Sequence, residues 1–197
     1  MFIRNSLFIL MLLSWCIISC KHPVTGNGNI ISDERTPENF ESVDLLGAAE
    51  VEIIQGNVYK VVVKSDENIV PLVGTKVNDR KLTISTVDEI NLAHSKISIQ
   101  ITCPSINSAN ISGAGDLIIN SFHQPNIKVS VHGAGNVKFA NSECDTVYAT
   151  LSGAGNMYVN AKNYLEATVN GVGNIEYSGD PTVKSKVSGV GNVSQKK

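Results

Sequence analysis

The chain has 197 residues, 42% of them apolar, and a formal net charge of −2, which suits one domain of ordinary size. Its 16 basic and 18 acidic residues form no basic patch and no basic run longer than two residues, as at the terminal Lys196-Lys197, so nucleic acid is excluded as a partner class. Four cysteines and four histidines show no zinc-ligand spacing, so no metal site is expected.

Arg4 supplies a positive start, and Leu7 to Ile18 is an apolar run broken only by Ser14. The run is too short to cross a bilayer as a helix and fits a secretory signal. It ends in Ile17-Ile18-Ser19-Cys20, which resembles the lipobox of bacterial lipoproteins. Residues 1–19 are therefore read as a lipoprotein signal peptide and Cys20 as the lipidated first residue of the mature chain. The acyl chains would be the membrane anchor, placing the protein in the cell envelope, on the outer membrane, facing either the periplasm or the outside.

Residues 20–39 read as a flexible tether. Pro23, Gly26 and Gly28 interrupt a stretch without apolar periodicity. The folded domain is expected over 40–197. Val51-Glu52-Ile53-Ile54 and Tyr59-Lys60-Val61-Val62-Val63-Lys64 flank Gln55-Gly56-Asn57, and read as a hairpin or tight corner. Asn68 to Val77, with Pro71 and Gly74, reads as loop or an irregular turn. Strands follow at Lys81–Ser85 and Lys96–Thr102, with one short helical turn between Asp88 and Ala93.

From Ile106 the chain repeats itself. Five phrases recur: Ser112-Gly113-Ala114-Gly115-Asp116, His132-Gly133-Ala134-Gly135-Asn136, Ser152-Gly153-Ala154-Gly155-Asn156, Asn170-Gly171-Val172-Gly173-Asn174 and Ser188-Gly189-Val190-Gly191-Asn192. The first glycines are 20, 20, 18 and 18 residues apart, a period that marks stacked structural units. Two positions before each first glycine stand Ile111, Val131, Leu151, Val169 and Val187. Four positions after it stand Leu117, Val137, Met157, Ile175 and Val193. Each unit is thus strand, glycine corner, strand and polar loop, with alternate apolar residues facing one interior.

The expected fold is all-β: a parallel β-helix or β-solenoid with glycine corners every 18–20 residues, preceded by irregular β-rich coils. The corner glycines are assigned to positive φ or close approach, the Ala or Val between them to the inside, and the Asx after them to the turn. Gly47-Ala48-Ala49-Glu50 lacks the second glycine, and 66 residues separate Gly47 from Gly113, which leaves the start of the stack open. Cys103 and Cys144 lie two periods apart. Two strand spacings amount to about 9–10 Å, beyond disulfide reach, so both are expected to be unpaired and buried.

The lipobox, the Leu46-Gly47-Ala48-Ala49-Glu50-Val51-Glu52-Ile53 segment, the Lys81–Ile84 strand and the serial Ser-Gly-Ala-Gly-Asn phrases together resemble the putative auto-transporter adhesin, head GIN domain family. The resemblance spans about residues 40 to 193. It implies a β-helix-like fold and a secreted or envelope location, and brings no catalytic residues.

Chemistry is sparse. Asp116, Glu143, Asp145, Glu166, Glu176 and Asp180 form no evident carboxylate pair for glycoside hydrolysis, and four of the five Asx positions are neutral, against a calcium array. The Gly-x-Gly phrases lack the third glycine and helix of a dinucleotide site, and no cofactor is expected. The reading is a non-catalytic envelope lipoprotein that binds a glycan or protein surface. Weak candidates for contact are Tyr148, Tyr158 and Tyr164. A structural spacer or assembly component, and a polysaccharide-acting enzyme, are the alternatives.

Overall fold

The computed structural model describes residues 24–86 and 95–196. The signal, the lipobox and the helical turn expected at Asp88–Ala93 lie outside the described residues. Among those described, the chain is all-β, with one 3₁₀ turn at Val70–Leu72.

The strands are β1 (Ile30–Arg35), β2 (Ser42–Leu45), β3 (Glu50–Gln55), β4 (Lys60–Asp66), β5 (Val73–Asn78), β6 (Lys81–Thr86), β7 (Ser98–Cys103) and β8 (Ser108–Ile111). They continue with β9 (Leu117–Asn120), β10 (His123–Val131), β11 (Val137–Ala140), β12 (Glu143–Leu151), β13 (Ala154–Val169), β14 (Val172–Ser178), β15 (Thr182–Val187) and β16 (Val193–Gln195).

They pair in two ladders. One runs β1-β4-β7-β3-β9-β11-β13-β14-β16 and the other β5-β6-β2-β8-β10-β12-β13-β15. β13 belongs to both, so the 16 strands count as one sheet. From β2 and β3 onward every pairing is parallel and in repeat register: Val129 pairs with Ala109 and Ala149, and Met157 with Val137 and Ile175. Among the described residues antiparallel pairs occur only at the N-terminal end, as β1–β4, β4–β7 and β5–β6.

This pairing finds the start of the stack. β2 lies against β8, β3 against β9, and Ala48 bridges Ala114. The 42–55 segment is therefore the first unit, set directly beside the 108–120 unit. The intervening chain is an excursion that returns with β6 beside β2 and β7 beside β3, covering the first unit's core.

Three expectations are corrected. Residues Ile30–Arg35 of the expected tether are a strand, because their backbone completes the edge of β4 from Asp66 to Val61. β3 and β4 do not form a hairpin, since β7 inserts between them. Val73–Asn78 is not loop but β5, turned back onto β6 through Asp79 and Arg80, whose φ values of 49° and 59° make the tight turn.

The interior is a single cluster of aliphatic columns. Ile111, Val131, Leu151 and Val169 are each 0% exposed. Phe40 and Phe122, fully buried, fill wider gaps. The columns open at the C-terminal end, where Val187 is 44% and Val190 72% exposed.

Candidate functional site

The glycine corners are built from close approach more than from special dihedrals. In every unit a Cβ on either glycine would overlap the carbonyl oxygen of its counterpart one unit earlier: Gly133 on Gly113, Gly153 on Gly133, Gly171 on Gly153, Gly189 on Gly171, Gly135 on Gly115, Gly191 on Gly173. Gly113 meets Gly47 in the same way, and Gly115 meets Ala49. Clearly positive φ is confined to the second glycine, at Gly155 (143°) and Gly173 (139°), with Gly115 (158°) at the limit. The residue between the glycines points outward, not inward. Ala114, Ala134 and Ala154 are exposed, and Val172 is 59% exposed. Strand alternation runs through the corner from Ile111 to Leu117, so the interior positions there fall to the glycines.

The Asx column is a hydrogen-bonded stack. The N–H of Asn136 donates to Asp116 Oδ1 at 3.0 Å, that of Asn156 to Asn136 Oδ1 at 3.0 Å, that of Asn174 to Asn156 Oδ1 at 3.1 Å, and that of Asn192 to Asn174 Oδ1 at 3.1 Å. These side chains are occupied with architecture.

The acids are similarly engaged. Asp116 sits beside Glu50 on the neighbouring strand, a proximity that sequence spacing did not reveal. Glu50 pairs with Lys96 at 2.9 Å, and Asp116 accepts from Asn136. Glu143 and Asp145 are exposed. Among the described residues no group of three or more His, Cys, Asp or Glu is placed to hold a metal. Cys103 and Cys144 are buried and free. Burial pushes the Cys103 thiol up to about 12, and burial, helped by Asp145 and Glu143, pushes Cys144 up to about 11.

The three candidate tyrosines do not come together. Tyr148 and Tyr164 meet on the outer face of β12 and β13, with ring centroids 6.4 Å apart at 60°. Tyr148 borders a shallow surface with Lys128, Thr150, Glu166 and Thr168. There Lys184 donates to Glu166 Oε1 at 2.9 Å, which raises the Lys184 pKa.

Tyr158 stands in the other ladder, in an outward row with Lys138 and Glu176 on the adjoining strands. Beside that row lie Phe139, Val159 and Tyr177, and together with Ser178 and Lys196 they line a groove of about 280 Å³. The groove crosses four successive repeat units, the last contributing Lys196. Phe139 and Tyr177 stand six positions after their first glycines, in a column with Ile119 and Val159 whose alternation reads as core, so the sequence does not mark them as surface. The signal was the next residue of that column, Gln195, which leaves Tyr177 half covered and instead donates from Nε2 to Gly179 O at 2.8 Å. Aromatic faces flanked by an ammonium and a carboxylate suit a ligand with apolar faces and hydroxyl edges.

Fold and surface thus define a class: an all-β protein of parallel repeat units whose glycine corners and Asx column are occupied by structure. The chain belongs to the family described as putative auto-transporter adhesin, head GIN domain, whose pattern matches residues 39–153 and 128–181. A crystal structure of a putative adhesin from Bacteroides fragilis has a similar fold, with TM-score 0.59 and 22% identity over 88% of this chain and 100% of that one. Putative adhesins from Parabacteroides merdae (TM-score 0.42, 20% identity, 90% of this chain and 100% of that one) and Parabacteroides distasonis (0.40, 20%, 89% and 100%) are also similar. No curated protein matches the chain.

Proposed function

We propose that this protein is a lipid-anchored envelope adhesin whose repeat units coil as a parallel β-solenoid and whose Tyr158–Tyr177 groove binds a glycan. The groove carries the reading: two tyrosines, Phe139, Lys138, Glu176 and Lys196 converge across four units, while corners and most acids are committed to structure. The repeat register of 18 to 20 residues, parallel in both ladders, supports the coil. The family's adhesin description and the Cys20 lipobox support envelope attachment without catalysis. A glycan array followed by calorimetry tests it. Saturable binding should fall at least tenfold in Tyr158→Ala and in Tyr177→Ala, and stay unchanged in Tyr148→Ala. Equal binding by all three variants, or none by the wild type across a wide array, would sink the groove assignment.

An assembly role is the second reading, favoured by the open C-terminal end. All six residues of β15 are exposed, and among the described residues β15 pairs only with β13. Such an edge offers unpaired backbone groups to another strand. Light scattering over a concentration series would reveal self-association, and a monomer throughout would remove self-assembly through this edge.

A further inference from the structure

The chain is fastened to the domain almost as soon as it leaves Cys20. Val24 packs against the core. Asn68 Nδ2 donates to Thr25 O at 2.9 Å, and the Gly26 N–H donates to Ser95 Oγ at 2.8 Å. The Asn27 N–H donates to Asn68 Oδ1 at 3.0 Å, and the Gly28 N–H to Asp66 Oδ1 at 2.6 Å. Val24 is four residue steps from Cys20, and an extended chain spans about 3.5 Å per step, so the anchored residue can be no farther than about 14 Å from Val24. The longer ladder has nine strands at a spacing of about 4.8 Å, giving a body roughly 40 Å long. The reach of the anchor is a small part of that length. A lipid on Cys20 therefore fixes which corner of the domain meets the bilayer.

That corner has a surface of its own. Ile30, Lys64, Ser65, Lys96 and Ser98 line a cavity of about 330 Å³. Ile30 is 53% exposed. Lys64 and Lys96 are exposed beside it; Lys96 reaches Glu50, and Lys64 has no ion pair among the described residues. Of the acids at this corner, Glu50 is the exposed partner of Lys96, Asp66 is 3% exposed and bonded to Gly28, and Glu67 accepts from Asn29 Nδ2, so Lys64 is the cation free to meet a phosphate and Lys96 must exchange Glu50 for one.

We propose that this corner docks on the bilayer itself, with Ile30 entering the headgroup layer and Lys64 and Lys96 facing anionic phospholipid. The inference rests on the lipid-anchor reading above. One apolar side chain and two lysines bind a membrane weakly alone, but a short link to an acyl anchor holds them there at high effective concentration. The domain then stands in one orientation, and does not swing on a long leash.

The test uses the full chain made in a bacterium that processes lipoproteins, with acylation of Cys20 verified by mass. Nitroxides are placed at Ile30→Cys and Val190→Cys in vesicles of phosphatidylethanolamine and phosphatidylglycerol. The native thiols are buried and resist labelling. Collisions with an aqueous nickel chelate should be several-fold rarer at position 30 than at position 190, and collisions with oxygen more frequent. The Lys64→Glu, Lys96→Glu pair should abolish the difference, and vesicles of neutral phosphatidylcholine should reduce it. Equal aqueous access at both positions in acylated protein overturns docking and leaves the anchor standing. A chain without acyl groups on Cys20 overturns both.

Discussion

The carbonyl oxygen of Gly133 occupies the place where a Cβ on Gly153 would stand. The obstacle is backbone, repeated in every unit, so it cannot rotate away as a side chain would. Gly153→Ala should therefore destabilise the domain by about 3 kcal/mol or more, at the upper end of overpacking costs, because adjacent strands must separate. Ala154→Val is the matched control. Its side chain points outward, and Val172 and Val190 already fill that column, so its effect should stay within about 0.5 kcal/mol. Urea midpoints measure both. Equal midpoints for the two variants would overturn the assignment of the glycines to close approach.

The Asx stack predicts a smaller effect. Asn156→Ala removes the acceptor for the N–H and Nδ2 of Asn174, and keeps the Asn156 N–H that donates to Asn136 Oδ1. The column is largely exposed, so water can replace the lost partner. The cost should be about 1 kcal/mol, the net value of an ordinary hydrogen bond. Asn156→Asp keeps the acceptor, as Asp116 does for Asn136, and should cost less than Asn156→Ala in the same titration.

Much of this architecture was legible in the spacing of a few residues. Ile111, Val131, Leu151 and Val169 share one column in sequence and are all fully buried. Lys138, Tyr158 and Glu176 read as an outward row, and the register places them side by side. The misreadings have a common cause. Ala114 and Val172 were placed inside because they are apolar, although strict alternation through the corner puts them outside. Tyr177 reads as interior for the same reason, six positions after Gly171 in the column of Ile119 and Val159. Its exposure depends on what the next unit supplies, which is Gln195. The excursion between Gly56 and Ile106 hid the first unit, because contact between Ala48 and Ala114 is a long-range event that no local pattern encodes. Ile30–Arg35 looked like tether because an edge strand needs backbone partners more than an apolar face.

The two buried thiols predict an alkaline limb of stability. An unfolded cysteine loses its proton near its ordinary value of 9.0, whereas Cys103 holds it to about 12 and Cys144 to about 11. Above pH 9 the unfolded state therefore binds fewer protons than the native state, and stability falls as pH rises. The contribution is fully present below pH 9 and is lost progressively up to about pH 11 and then 12. Melting temperatures measured from pH 8 upward should decline more gently in Cys103→Ala, Cys144→Ala than in the wild type, even though the double variant starts lower. Parallel slopes would show that other groups set the alkaline limb. Alkylation at pH 8 should likewise proceed only through unfolding.

Arg35 joins the two ladders at their N-terminal edge. From β1 its Nη1 donates to Val73 O at 2.6 Å and Thr75 Oγ1 at 3.0 Å, and its Nη2 donates to Val70 O at 3.2 Å, while Asp33 holds its Nε at 2.7 Å. One planar cation thus ties edge strand β1 to edge strand β5, which pair with different ladders. Arg35→Met keeps the stem and removes every donor. The loss should be about 1.5–3 kcal/mol, the range for hydrogen bonds to charged groups. It should be local as well. Amide exchange should quicken in Ile30–Arg35 and Val73–Asn78 and stay unchanged in Val129–Val131, deep in the parallel stack. Arg35→Lys keeps the charge but lacks the fork that reaches several acceptors at once, so it should fall between the two. If exchange in both edge strands matched the wild type in Arg35→Met, backbone pairing alone would hold them, and the clip would have no structural role.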